Sequence, residues 1–160
     1  MPTLSVGRTS AGVTLIELLV VVALISLLVG VSFPALTSGI DSLRLNAATN
    51  GIVSFLNSGL DRAQRRQQMV EITISKDSNA LEMRSTEAEF YRKLALPDGV
   101  SITHVLPELP DDPDAPRTFD LYPGGTVPGF GIELINRKNV ERIVRVDPIT
   151  GVPQVERPEQ

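Results

Sequence analysis

Residues 11–36, AGVTLIELLVVVALISLLVGVSFPAL, are almost wholly apolar and carry a single charged side chain, Glu17. As a helix, Val13 to Leu36 rises about 36 Å, enough to cross a hydrocarbon core of about 30 Å, so the sequence predicts a membrane-spanning helix. A secretory signal fits less well, because its apolar core is usually about 7–15 residues long and is followed by a small-residue cleavage site. The preceding MPTLSVGRTSAG contains one basic residue, Arg8, which favours a cytoplasmic N-terminus under the positive-inside rule. A carboxylate at hydrocarbon depth costs about 2.5–3.5 kcal/mol on insertion scales, so Glu17 calls for a partner or a task.

The apolar fraction of 42% is inflated by this one run, and the remaining sequence reads as a single soluble domain. Net charge is −4 with both signs dispersed, and aromatic residues make up only 4%, which leaves few rings for stacking on bases and argues against nucleic acid as a partner. The chain has no cysteine and one histidine, so disulfides, thiolate metal sites and thiol catalysis are excluded, and no catalytic group of residues emerges. The sequence therefore points to a structural protein with no enzymatic activity and no cofactor.

Beyond the run the apolar period stays near 3.6. Ile40, Leu43 and Ala47, and again Leu45, Ala48, Ile52, Phe55, Leu56 and Ala63, predict an amphipathic helix continuing to about Gln68. Pro34 lacks the amide that would bond the carbonyl of Gly30, so a kink is expected over Gly30–Pro34. After Met69 the pattern alternates: Val70, Ile72 and Ile74, the turn residues KDSN, then Leu81 and Met83 predict a hairpin. Further strands are expected at YRKLAL, GVSITHVL, RTFDLY, FGIELIN, VERIVRV and VPQVE, with Pro153 interrupting the last. The fold class is α+β, a long N-terminal helix packed on an antiparallel β-sheet.

Gly12 followed by Val13-Thr14-Leu15-Ile16-Glu17-Leu18, an unbroken apolar stretch and Pro34 at its distal end resemble the prepilin signature of type IV pilins and type II secretion pseudopilins. Val13 stands where that family usually carries phenylalanine or methionine. The resemblance implies a leader peptide over 1–12 removed by prepilin peptidase, N-methylation of Val13, a transmembrane and assembly segment over 13–36, and a pilin-like globular domain over 37–160. It further implies that Glu17 meets the N-terminal amine of a neighbouring subunit, so that a carboxylate tolerated singly in lipid is satisfied on assembly. The C-terminal stretch FDLYPGGTVPGFGIELINRKNVERIVRVDPITGVPQV is similar to H-type minor pseudopilins, with Gly124-Gly125 where that group tends to have Asp-Gly. The implied role is a minor pseudopilin of a type II protein secretion system, with other pilin-like subunits, the peptidase and the inner-membrane secretion platform as partners and the globular domain in the periplasm. Alternatives are a minor pilin of a type IV or competence pilus, or a membrane-anchored periplasmic binding or enzymatic domain.

Other stretches are weaker as sites. GGTVPGFG, residues 124–131, lacks the Lys-Ser/Thr of a phosphate loop and reads as a turn. PELPDDPDAP, residues 107–116, gathers Glu108, Asp111, Asp112 and Asp114 without the ligand spacing of a calcium loop, so a solvated loop is expected rather than a metal site. His104 is placed on one strand face with Val100, Ile102 and Leu106 and reads as structural. Arg62, Arg65 and Arg66 complement the dipole at the helix end, with an intersubunit salt bridge as the alternative.

Overall fold

The structure, a computed structural model, describes residues 12–85, 90–125 and 127–157, with the side chains of 31–38 outside the description. One helix, α1 (Leu15–Arg66), is followed by eight strands: β1 (Val70–Ser75), β2 (Ala80–Ser85), β3 (Tyr91–Ala95), β4 (Val100–Leu106), β5 (Arg117–Leu121), β6 (Phe130–Asn136), β7 (Glu141–Val146) and β8 (Pro153–Glu156). The chain divides into two compact units, Met1–Thr37 and Ser38–Gln160, and α1 contributes residues to both. The helix assignment runs through Gly30 and Pro34. The proline side chain on which the expected kink depends lies outside the described residues.

In the second unit every expected strand is present, but the antiparallel layer is two sheets rather than one. The first has the order β3-β2-β1-β5 and the second β4-β6-β7-β8. Alternation reveals that a segment is extended and which face is apolar; it does not name the partner. Here the chain leaves the first sheet after β3, builds β4 in the second, and returns to set β5 against β1 with Ile72 opposite Phe119. Both inner faces and the helix close on one core. Leu45, Ile52 and Leu56 of α1 join Ile72, Ile74, Leu81 and Met83 of the first sheet and Ile102, Ile132, Leu134 and Val144 of the second.

The buried stripe of α1 is set by its spacing, and its closeness to the sheet by Gly59. A Cβ there would lie 2.8 Å from Met83 Cε and 3.3 Å from Leu121 Cδ1, so the glycine that weakens the helix intrinsically is what lets it seat. The helix stops at Arg66, two residues before the expected end. Gln67 takes a left-handed φ of 52°, and the Gln68 amide donates back to the Ala63 carbonyl at 3.3 Å, which closes a Schellman cap.

Two sequence expectations change within the sheets. A bulge between Ile102 and His104 shifts the β4 register, so Val105 is buried and His104 turns outward instead of sharing a face with Val100 and Ile102. Pro153 does not interrupt β8 but opens it, opposite Val146 on the edge of the second sheet, where a missing backbone donor is tolerated.

Asn79, at the end of the β1–β2 turn, ties the two sheets together. Its side-chain amide donates to the Val100 carbonyl at 2.7 Å, its side-chain oxygen accepts from the Ile102 amide at 3.0 Å, and its own carbonyl accepts from the Leu96 amide at 3.1 Å. Its φ of 46° is one that Asn adopts more readily than most residues. Asn79→Gly keeps that backbone conformation while leaving the Val100 and Ile102 groups unpaired. It is expected to destabilise the domain by about 1–3 kcal/mol, read as a lowered denaturation midpoint with an unchanged m-value.

Candidate functional site

The residues singled out by the N-terminal pattern come together around the start of α1. Gly12, Val13 and Thr14 are non-helical and exposed, and nothing lies within 4 Å of where a Gly12 Cβ would sit. The bond between Gly12 and Val13 thus lies in exposed, non-helical backbone just ahead of a helix. Thr14 is the N-cap: its hydroxyl accepts the Glu17 amide at 3.3 Å, and its carbonyl accepts the Leu18 amide at 3.2 Å. Glu17 is consequently the third helical residue, where the unsatisfied N–H groups and the helix dipole favour a carboxylate. The sequence reading had Glu17 but passed over Thr14. The Thr-x-x-Glu spacing of a capping box was the signal for it.

From Leu15 to Val29 the helix presents large apolar side chains on every side, from Val21 at 48% exposed to Leu15 at 80%. The one hydroxyl among them, Ser26, donates back to the Val22 carbonyl at 2.8 Å and so leaves no unsatisfied donor. Among the described residues no helix is long and apolar enough to cross a membrane. The distal part of the expected span, 31–36, falls where side chains are not described. Gly30 has open space around it.

In the second unit the weaker candidates resolve into surface contacts. His104 Nδ1 lies 3.0 Å from Glu133 Oε2 and its Nε2 3.7 Å from Glu108 Oε1. The 107–116 loop is held at two further points: Lys76 Nζ bonds Asp114 at 2.6 Å, and Arg117 donates to the Pro107 carbonyl. The Lys76 ammonium holds the Asp114 carboxyl below the usual carboxylate range. No group of three His, Cys, Asp or Glu side chains that could hold a metal ion occurs among the described residues. The stretch 124–131 leads from a turn, with the Gly125 amide bonded to the Tyr122 carbonyl, into β6. Arg62 lies over the Phe90 ring at 3.5 Å, and Arg65 pairs with Asp61 one turn earlier at 2.6 Å. In the turn between β7 and β8, Asp147 Oδ1 accepts the amides of Ile149 and Thr150 at 2.7 and 3.0 Å. The amides of Thr150 and Ile149 hold the Asp147 carboxyl below its ordinary value.

Three comparisons bear on this arrangement. The family model of the prokaryotic N-terminal methylation motif matches residues 7–33, which contain Gly12, Val13, Thr14 and Glu17. No curated protein sequence matches the chain. Among solved structures, the chain is similar to the minor pseudopilin EpsH from the Type 2 Secretion System of Vibrio cholerae, with a TM-score of 0.56, 14% identity, and coverage of 72% of this chain and 98% of that one. At that identity the likeness carries the fold, which is pilin-like: an N-terminal helix packed on antiparallel sheets.

The cap geometry makes one prediction for this region. Thr14→Val keeps the shape but removes the acceptor for the Glu17 amide, so the first turn of α1 should fray by about 0.5–2 kcal/mol. Amide exchange in detergent micelles should then be faster at Glu17 and Leu18, with the amides of the second unit unchanged.

Proposed function

We propose that this chain is a minor pseudopilin, a structural subunit of the inner-membrane pseudopilus of a type II protein secretion system. The observation that carries the reading is a methylation motif matched over residues 7–33 on a chain that also has the fold of a minor pseudopilin. In this reading prepilin peptidase cuts between Gly12 and Val13, and the new Val13 amine is methylated. The segment 13–36 anchors the chain in the inner membrane with the second unit in the periplasm, and the helix loosens at Gly30 and Pro34. The partners are other pseudopilin subunits and the inner-membrane secretion platform.

The chemistry follows from the helix start. Cleavage leaves a cation one residue ahead of the Thr14 cap, at the end of α1 where the dipole is already positive. That cation, like Glu17, is poorly solvated in an apolar environment, and each needs the other sign of charge. Glu17 lies one turn further along the helix and is exposed, so it is available to the amine of a neighbouring subunit rather than committed within its own chain. Assembly then converts two unfavourable buried charges into one pair, and this sets the register in which subunits enter the filament.

Glu17→Leu separates anchoring from assembly. Removing the carboxylate lowers the insertion penalty, so the variant should be inserted and cleaved normally. Breaking a buried pair by removing one partner costs about 3–5 kcal/mol, so incorporation into filaments should fall by about a hundredfold or more. Membrane fractionation together with secretion of an exported protein in the same cells reads both effects. Secretion at the parental level would make the chain an anchored domain instead.

A further inference from the structure

The β4 bulge does more than turn His104 outward: it sets the imidazole between two carboxylates from different parts of the second unit. Thr103, the extra residue between Ile102 and His104, donates its hydroxyl to the Glu133 carbonyl at 3.3 Å and so fixes the bulge against β6. His104 Nδ1 is then 3.0 Å from Glu133 Oε2, and its Nε2 is 3.7 Å from Glu108 Oε1 in the loop over 107–116. A neutral imidazole carries one N–H and one lone pair, so it donates to one of these carboxylates and turns its lone pair toward the other. An imidazolium carries an N–H on both sides and attracts both. β4 itself has no other charged residue. Asp114, whose carboxyl also feels the ring, is bonded to Lys76 Nζ at 2.6 Å, and Arg117 of β5 donates to the Pro107 carbonyl. On β7, Ile143 stands opposite Glu133, with Glu141 and Arg145 two residues to either side on the same face and Arg145 paired with Glu156 at 3.2 Å.

We propose that His104 is a proton-operated clasp, which fastens the start of the acidic loop 107–116 to the second sheet when the ring is protonated and releases it when the ring is neutral. The loop has two kinds of anchor. At its far end the Lys76 ammonium holds the Asp114 carboxyl below the usual carboxylate range, so that pair persists while an imidazole titrates. At its near end Glu108 depends on the Nε2 proton. A fastened loop favours the protonated ring, so the fastening is present on the acid side of the imidazole range, about pH 5, and is lost as pH rises through it toward about pH 8. Ordinary carboxylates stay ionised throughout that range. Leu109, 42% exposed, and the exposed Asp111 and Asp112 lie between the two anchors. What the proton sets is therefore how firmly this acidic, partly apolar segment is held at the surface. His104 and Glu108 are each about half exposed, so the pairing shifts the loop's equilibrium by about twofold to fivefold.

The chain has no cysteine, so Leu109→Cys gives a single attachment point for a nitroxide in the full chain in detergent micelles. A second label at Ile149→Cys is the control, in a turn whose Asp147 carboxyl is held below its ordinary value by the amides of Thr150 and Ile149. Electron paramagnetic resonance spectra at about pH 5.5 and about pH 8 read the ratio of immobile to mobile label on either side of the imidazole transition. The expected ratio at 109 is about twofold to fivefold higher at the acidic pH, with no change at 149. Adding His104→Gln or Glu108→Gln, both at half-exposed side chains, is expected to remove the pH effect at 109 while leaving the fold intact. A ratio at 109 that does not change with pH, an equal change at 149, or a change at 109 that persists in either variant would each overturn the clasp.

Discussion

The large apolar side chains from Leu15 to Val29 are each about half exposed or more, the least exposed at 48%, and nothing among the described residues covers them. Burial of apolar surface is worth about 25 cal/mol per Å², so a helix of this kind is tolerable only in lipid or among copies of similar helices. That constraint organises the N-terminal end of the molecule. It explains why a hydroxyl such as Ser26 must bond within its own helix and why Glu17 sits where the dipole offsets part of its cost. In the function proposed above, cutting the exposed Gly12–Val13 bond supplies the positive charge that Glu17 pairs with.

The second unit meets the opposite demand. It buries its apolar side chains within itself. The core does this with a single cluster fed by α1 and both sheets. Gly59 brings the helix close, and Asn79 joins the first sheet to β4 through its side chain. The buried stripe of α1 and the exposed Ile40, Leu43 and Ala47 lie on opposite sides of the helix.

Much of this fold was legible because it is written in periods. The change from 3.6 to 2 after Met69 marks the end of the helix within a few residues, and local sequence pattern locates the strands among the described residues. What alternation does not carry is pairing, so two sheets read as one. A single inserted residue in β4 was likewise invisible and put His104 on the wrong face. The helix end was misjudged by two residues because Gln67 adopts a left-handed conformation that composition does not announce. At the N-terminus, Gly12, Val13 and Glu17 stand out through the resemblance to the prepilin signature, and the methylation-motif model covers all three. The capping role of Thr14 is carried by its Thr-x-x-Glu pattern, a signal that the apolar run around it obscures.

The central claim is that the chain works as a trimmed, methylated subunit. The most direct measurement is the mass of the N-terminal peptide from the chain extracted out of membranes of cells containing a prepilin peptidase. The account predicts a peptide that begins at Val13 and bears one additional methyl group on its α-amine. A membrane-extracted chain that still carries residues 1–12, or that begins at Val13 with an unmodified amine, would contradict it.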